Sequence, residues 1–151
     1  MLLRKDLIKV GQDYPDRETA LHSFAELFVE RGVAKPSYPQ AIVDREKIYP
    51  TGLPAGSFDI ALSHCDSEHV IEPAIGVCTL VNPIDFQMMG GDGTAMHVKI
   101  IFMLAIKDPD SQISTLQKLM GVLQNEGLLE EVHAASSPEE VYDALKPYLD
   151  V

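Results

Sequence analysis

With 151 residues, the chain is sized for one domain spanning 1–151, long enough to bury about 70% of its unfolded surface around a single core. Its hydrophobic share of 46% beside 23% charged residues is ordinary for a globular protein, and no apolar run approaches the ~20 residues that a membrane helix needs. The net charge of -11 argues against a broad nucleic-acid surface, since clustered Lys and Arg are scarce, while small anions in a local pocket stay open.

The start MLLRKD reaches charge after two leucines and has no signal-peptide core, so a cytoplasmic protein is expected. DLIKV (6–10) predicts a short strand, and 13–17 a polar turn into a helix. On that helix Leu21, Phe24, Ala25, Leu27 and Phe28 form one apolar face that stops at Gly32. SYPQ (37–40) has the pattern of a capping box and predicts a second helix to about Lys47, ended by Pro50. FDIALS (58–63), AIGVCTLV (74–81) and HVKIIFMLAI (97–106) predict strands, the last two apolar enough to be covered on both faces. Ile113, Leu116, Leu119, Met120 and Leu123 mark a further helix stripe. Ser137-Pro138-Glu139-Glu140 then opens a last helix, with Val141, Leu145, Tyr148 and Leu149 toward the core. Buried strands interleaved with amphipathic helices predict an α/β layer architecture.

Single motifs point mostly to ordinary roles. GGDG (90–93) lacks the Lys-Ser/Thr ending of a phosphate-binding loop and precedes a strand, so it reads as an interstrand loop. His64, Cys65 and His69 have no second Cys/His pair at zinc-site spacing, and no metal is expected. Cys65 and Cys78 are too few for a disulfide framework and are expected to be free thiols. Strand alternation turns Cys65 away from His64, which weakens a thiol–imidazole pair. Judged by residue type alone, His64 is a hydrogen-bonded structural histidine, and the Met and aromatic positions are core.

The ordered set of segments carries more. REKIYPTGLPAG (45–56), DIALSHC (59–65), PIDF (83–86), IIFMLAIKDPDSQISTLQKL (100–119) and SSPEEVYDAL (136–145) resemble enzyme IIA of the bacterial phosphoenolpyruvate-dependent sugar phosphotransferase system, of the fructose/mannitol type. The galactitol-type branch has a Cys directly after its active histidine, another His five positions on, and Gln in place of a second active histidine. Cys65, His69 and Gln112 stand in those places here. One departure is Ser63, where the family pattern has Pro; it leaves the strand end less rigid.

The resemblance implies a single α/β domain, a mixed sheet of about five strands with helices on both faces. It implies that His64 accepts a phosphoryl group on Nε2 from the carrier HPr and passes it to a cysteine of enzyme IIB, with the membrane enzyme IIC engaged only indirectly. Neither cofactor nor metal, no nucleic acid and no membrane insertion are implied. Phosphoryl transfer asks the protein mainly for positioning and for donors around the equatorial oxygens. Arg45 is the candidate planar donor, with a surface ion pair to Glu46 or Asp44 as its ordinary alternative. Thr51 offers a hydroxyl near the site, and Gln112 an amide that donates or orients the imidazole without changing charge with pH. The acidic balance suits transient docking on a carrier with a positive face. A regulatory module that signals phosphorylation state by protein binding is the competing expectation.

Overall fold

In the computed structural model, which describes residues 2–91 and 93–149, the chain begins with β1 (Leu3–Gln12), α1 (Arg17–Glu30), α2 (Tyr38–Ile48), β2 (Gly52–Pro54) and β3 (Asp59–Ser63). It continues through β4 (Ala74–Gln87), β5 (Ala95–Ala105), α3 (Ile113–Leu123), α4 (Glu126–Ala134) and α5 (Pro138–Leu149). Single 3-10 turns occupy Ser67–His69 and Asp110–Gln112. Asp92 of the GGDG run lies outside the described residues.

The strands form one sheet in the order β1-β4-β5-β3-β2. β1–β4 and β3–β5 run parallel, whereas β4–β5 and β2–β3 run antiparallel, so the sheet is mixed as the resemblance implied. Strand alternation sorts the core into two halves. On β5, Ile101, Met103 and Ala105 face α1 and α2, where Leu21, Phe24, Phe28, Tyr38 and Ile42 are buried. Ile100, Phe102 and Leu104 face the other way, toward Leu119, Val122, Leu129, Val141 and Leu145 of α3, α4 and α5. Among the described residues no helix is long and apolar enough to cross a membrane.

Local chemistry explains the helix ends. Asp16 caps α1 by accepting from the Thr19 amide at 2.8 Å, and Gly32 closes it at φ 77°, a conformation that favours glycine. All five residues expected on the α1 face are buried. At Gly76 a Cβ would stand 2.7 Å from the Leu7 carbonyl oxygen and 2.8 Å from the Phe28 ring, so only glycine lets α1 press this closely onto β4. Tyr38 stacks on Phe28 at 5.5 Å between ring centres, and its hydroxyl donates to the Leu104 carbonyl at 2.9 Å. That bond satisfies a fully buried phenol.

Several expectations need correction. The first strand extends to residues 3–12, and β4 continues through Pro83 to Gln87. A register shift between Thr79 and Ile84 takes the proline out of the ladder, the arrangement that makes proline tolerable within a strand. The capping box at 37–40 does not form. Ser37 Oγ meets His69 Nδ1 at 2.8 Å instead, and Gln40 Nε2 donates to Asp44 at 2.9 Å. On α3 the buried stripe is Leu119, Val122 and Leu123, with Ile113 and Met120 exposed, because the helix packs chiefly on α4 and α5. Tyr148 is likewise exposed, while Val141, Leu145 and Leu149 are buried. β2 and α4 were not anticipated; each is short, and α4 is announced only by Asn125, which accepts from the Leu128 amide at 3.2 Å.

Candidate active site

β3 and β5 run parallel with Ser63 beside Met103, so the segments that follow them emerge at one edge of the sheet. His64 is the first residue past β3 and is half-buried. Its Nδ1 lies 3.0 Å from the Leu62 carbonyl oxygen. A carbonyl only accepts, so Nδ1 carries the hydrogen, and Nε2 of the neutral ring keeps its lone pair. The imidazole is thus set up as a nitrogen nucleophile with a fixed tautomer.

Behind it stands a buried polar unit. Glu46 of α2 is only 5% exposed, and its Oε2 accepts from the Thr51 amide at 2.7 Å while its Oε1 accepts from the Thr51 hydroxyl at 2.6 Å. The Thr51 carbonyl in turn accepts from the Leu62 amide at 3.1 Å. Burial pushes the Glu46 carboxyl up from the usual range, opposed by the Thr51 donors, the Arg17 charge and the Ser63 hydroxyl. Ser63 Oγ, itself buried, lies near enough to act on Glu46 but makes no hydrogen bond of standard geometry among the described residues.

Arg45, the neighbour of Glu46, pairs with neither of the carboxylates expected for it. Its Nη1 donates to Asp66 at 2.9 Å, and its guanidinium lies 4.7 Å above the Tyr49 ring. These groups border a surface depression of about 490 Å³ that Ser37, Cys65 and His69 also line. The Lys35 amide donates to the His69 carbonyl at 2.9 Å and Ser37 meets its ring, so the loop after His64 is tied to the α1–α2 connection. Burial first, then the Asp66 carboxylate, pushes the Cys65 thiol up to about 12. Such a thiol is a packing group, not an activated nucleophile.

Gln112 closes the turn after β5, where its Oε1 accepts from the Lys107 amide at 3.1 Å. At 7% exposure it is not a solvated first-turn residue. Lys107 Nζ reaches across to the Val70 carbonyl at 3.1 Å, joining the segments that follow β3 and β5. The structure therefore links His64 to Thr51 through Leu62 and sets Arg45 beside the same loop through Asp66. Gln112 shares the sheet edge, with its carbonyl directed to Lys107. Exposed Ile48, Tyr49, Ile71 and Ile113 stand on the segments around this edge, an apolar rim that sequence reasoning could not place. Glu46 and Asp66 were missed as well. The one signal for Glu46 was an acidic residue on the buried side of a helix otherwise carrying Tyr38, Ile42 and Val43.

The model of the family "Phosphoenolpyruvate-dependent sugar phosphotransferase system, EIIA 2" matches residues 1–148. The chain belongs to this family. As an EIIA component it is a phosphotransferase, a phosphoryl carrier of a sugar or polyol system. It is similar to the galactitol-specific EIIA component of Escherichia coli (strain K12), 28% identical over 123 residues that cover 82% of this chain and 81% of that protein. Among solved structures, the EIIA fold recurs in the complex of enzyme IIA and phosphorylated enzyme IIB for mannitol from Escherichia coli. There the TM-score is 0.77 at 24% identity, covering 97% of this chain and 99% of that one. Nitrogen regulatory protein IIA-Ntr from Neisseria meningitidis shares the fold with a TM-score of 0.74 at 21% identity, covering 95% of this chain and 96% of that one.

Proposed function

We propose that the chain, acting as one unit over 1–151 in the cytoplasm, accepts a phosphoryl group from phospho-HPr on His64 Nε2. It then hands the group to a cysteine of enzyme IIB in a galactitol-like uptake system. The observation that carries this reading is the Nδ1 bond to Leu62 at 3.0 Å, which reserves Nε2 for phosphorus. In the first step the donor's P–N bond breaks as the bond to Nε2 forms. In the second that bond breaks as P–S forms, and because the proton stays on Nδ1 the leaving ring is a neutral imidazole. No metal is needed for either step.

Arg45 supplies planar donors to the equatorial oxygens, with Asp66 holding the guanidinium beside the loop until the phosphoryl group arrives. With its carbonyl oxygen held by Lys107, Gln112 has its amide nitrogen to offer as donor. Thr51 enters through its backbone, since its hydroxyl is engaged by Glu46. The apolar rim suits transient contact with protein partners and exclusion of water from phosphohistidine. The galactitol-like assignment is supported by Cys65, His69 and Gln112 together with the 28% identity.

Reconstitution with phosphoenolpyruvate, enzyme I, HPr and a candidate enzyme IIB tests the whole reading. The label is expected on His64 and then on the enzyme IIB cysteine, and His64→Ala should accept none while keeping its fold. Label on His69 alone would overturn the assignment. Acceptance on His64 with no onward transfer to any enzyme IIB favours the regulatory module, whose fold is that of IIA-Ntr.

A further inference from the structure

We propose that Glu46 is a positioning residue for phosphoryl transfer, acting on His64 through Thr51 and the end of β3; the inference rests on His64 as the acceptor. The connection is continuous. Both Glu46 oxygens hold Thr51, at 2.7 Å to its amide and 2.6 Å to its hydroxyl. The Thr51 carbonyl holds the Leu62 amide at 3.1 Å, and the Leu62 carbonyl holds His64 Nδ1 at 3.0 Å.

The β2–β3 ladder pairs Gly52 with Ala61, so the Thr51–Leu62 bond is the next rung toward the site. β2 is only 3 residues long, and the last rung of so short a ladder opens readily unless something outside it holds the chain. Glu46 supplies that hold. If the rung opens, the Leu62 carbonyl loses its fixed place, Nδ1 loses its acceptor, and the ring is free to carry its hydrogen on Nε2. In that tautomer Nε2 has no lone pair for phosphorus.

Burying a carboxylate is unfavourable unless its oxygens are satisfied, and packing alone would be served better by an apolar side chain at this helix position. Two donors from a single residue satisfy it here. Because Arg45 is the preceding residue of α2, the same attachment fixes the base of this candidate hydrogen-bond donor to the phosphoryl oxygens against the strand that ends at His64.

The test reads ring ¹⁵N shifts of His64 by NMR alongside quench-flow transfer from phospho-HPr. The parent should hold one tautomer, with hydrogen on Nδ1. Glu46→Ala should show mixed tautomers and a transfer rate at saturating HPr lowered about 10- to 100-fold, as loss of an outer partner of a working imidazole does elsewhere. The KM for HPr should stay within about twofold, because a positioning defect acts on the bound complex. Glu46→Gln should restore the rate to within about threefold and the single tautomer, since its carbonyl accepts the Thr51 amide and its NH₂ donates to the Thr51 hydroxyl. Should Glu46→Ala fail to fold, Glu46→Asp replaces it, with the charge kept and the reach shortened; the same losses are expected. A folded Glu46→Ala or Glu46→Asp protein with one tautomer and the parent rate overturns the proposal. Label mapped away from His64 in the parent defeats the acceptor reading, whereas the tautomer measurement still decides whether Glu46 positions the ring.

Discussion

The layer of α1 and α2 and the layer of α3, α4 and α5 cover opposite faces of one sheet, yet they bury different chemistry. The α3–α5 layer buries aliphatic side chains, among them Leu119, Val122, Leu129, Val132, Val141 and Leu145. The α1–α2 layer buries stacked Phe28 and Tyr38 and also the Glu46 carboxylate, with Arg45 next to it. Polar burial needs partners of fixed geometry, so it belongs where the sheet end must be held still. The difference separates a layer that mainly supplies stability from one that also carries the polar chain running to His64, the proposed acceptor ring. The α3–α5 side meets the candidate site at the start of α3, through Gln112 and Ile113.

The largest effects should come from the one candidate donor that each side offers. Arg45→Lys keeps the charge but loses the planar fork, and it should slow transfer from HPr by about a hundredfold, as loss of a well-placed donor does. Gln112→Ala should slow it by up to about a hundredfold on the same grounds, and should cost about 1 kcal/mol of stability because the Lys107 amide loses its acceptor. Gln112→His should recover part of the rate and add a pH dependence near about pH 6.5. Quench-flow kinetics check all three. Parent rates in Gln112→Ala would confine the site to the α1–α2 side and sharpen the contrast. Parent rates in Arg45→Lys would break it, leaving Arg45 as a partner of Asp66 alone.

Core truncations probe the same contrast through stability. Phe28→Ala should cost about 3–5 kcal/mol and Leu145→Ala about 2–5 kcal/mol, both read from urea unfolding. Tyr148→Ala, on an exposed side chain, should stay within about 0.5 kcal/mol. The two core variants should then separate in function. Phe28 supports Tyr38 at the start of α2, so Phe28→Ala should also slow transfer per folded molecule, and Leu145→Ala should not. Equal transfer in both would mean that α2 is held by other contacts.

What the sequence made legible follows the same division. Apolar periodicity revealed the α1 face apart from Ala20, since each of its members is there for burial, and the apolar parts of the long strands were plain from their continuous runs. The stripes of α3 and α5 were read with errors at Ile113, Met120 and Tyr148, because periodicity gives the spacing of a face but not which neighbouring helix will cover it. Around the site the local rules gave way. SYPQ has a capping pattern, but Ser37 is engaged by His69, a partner 32 residues away that no local rule reveals. The ordinary alternative for Arg45 was an ion pair with the adjacent Asp44 or Glu46, and the guanidinium is instead held by Asp66, 21 residues on. His64 could be singled out only through the ordered resemblance, since one imidazole after an apolar run is commonplace. Its fixed tautomer depends on the bend that brings Nδ1 back to Leu62, a property of coordinates and not of composition.

The smallest expected effect on transfer at the candidate site concerns Cys65, which sits beside His64 and lines the depression on the α2 side. Its Sγ approaches the Asp66 carbonyl at 3.7 Å, so a serine hydroxyl has an acceptor in nearly the same place. Cys65→Ser should therefore cost about 1 kcal/mol of stability, from exchanging a small apolar sulfur for a hydroxyl that stays bonded. Transfer should remain within about twofold of the parent from pH 6 to 8, since a thiol pushed up to about 12 is ionised in only about one molecule in ten thousand at pH 8. A thiol that took part in the reaction would behave differently. The parent rate would then climb with pH as thiolate accumulates, and the serine variant, folded by its melting curve, would lose the climb along with the activity. That outcome would move the chemistry from the ring of His64 to its neighbour and make the depression beside α2, not the sheet edge, the centre of the site.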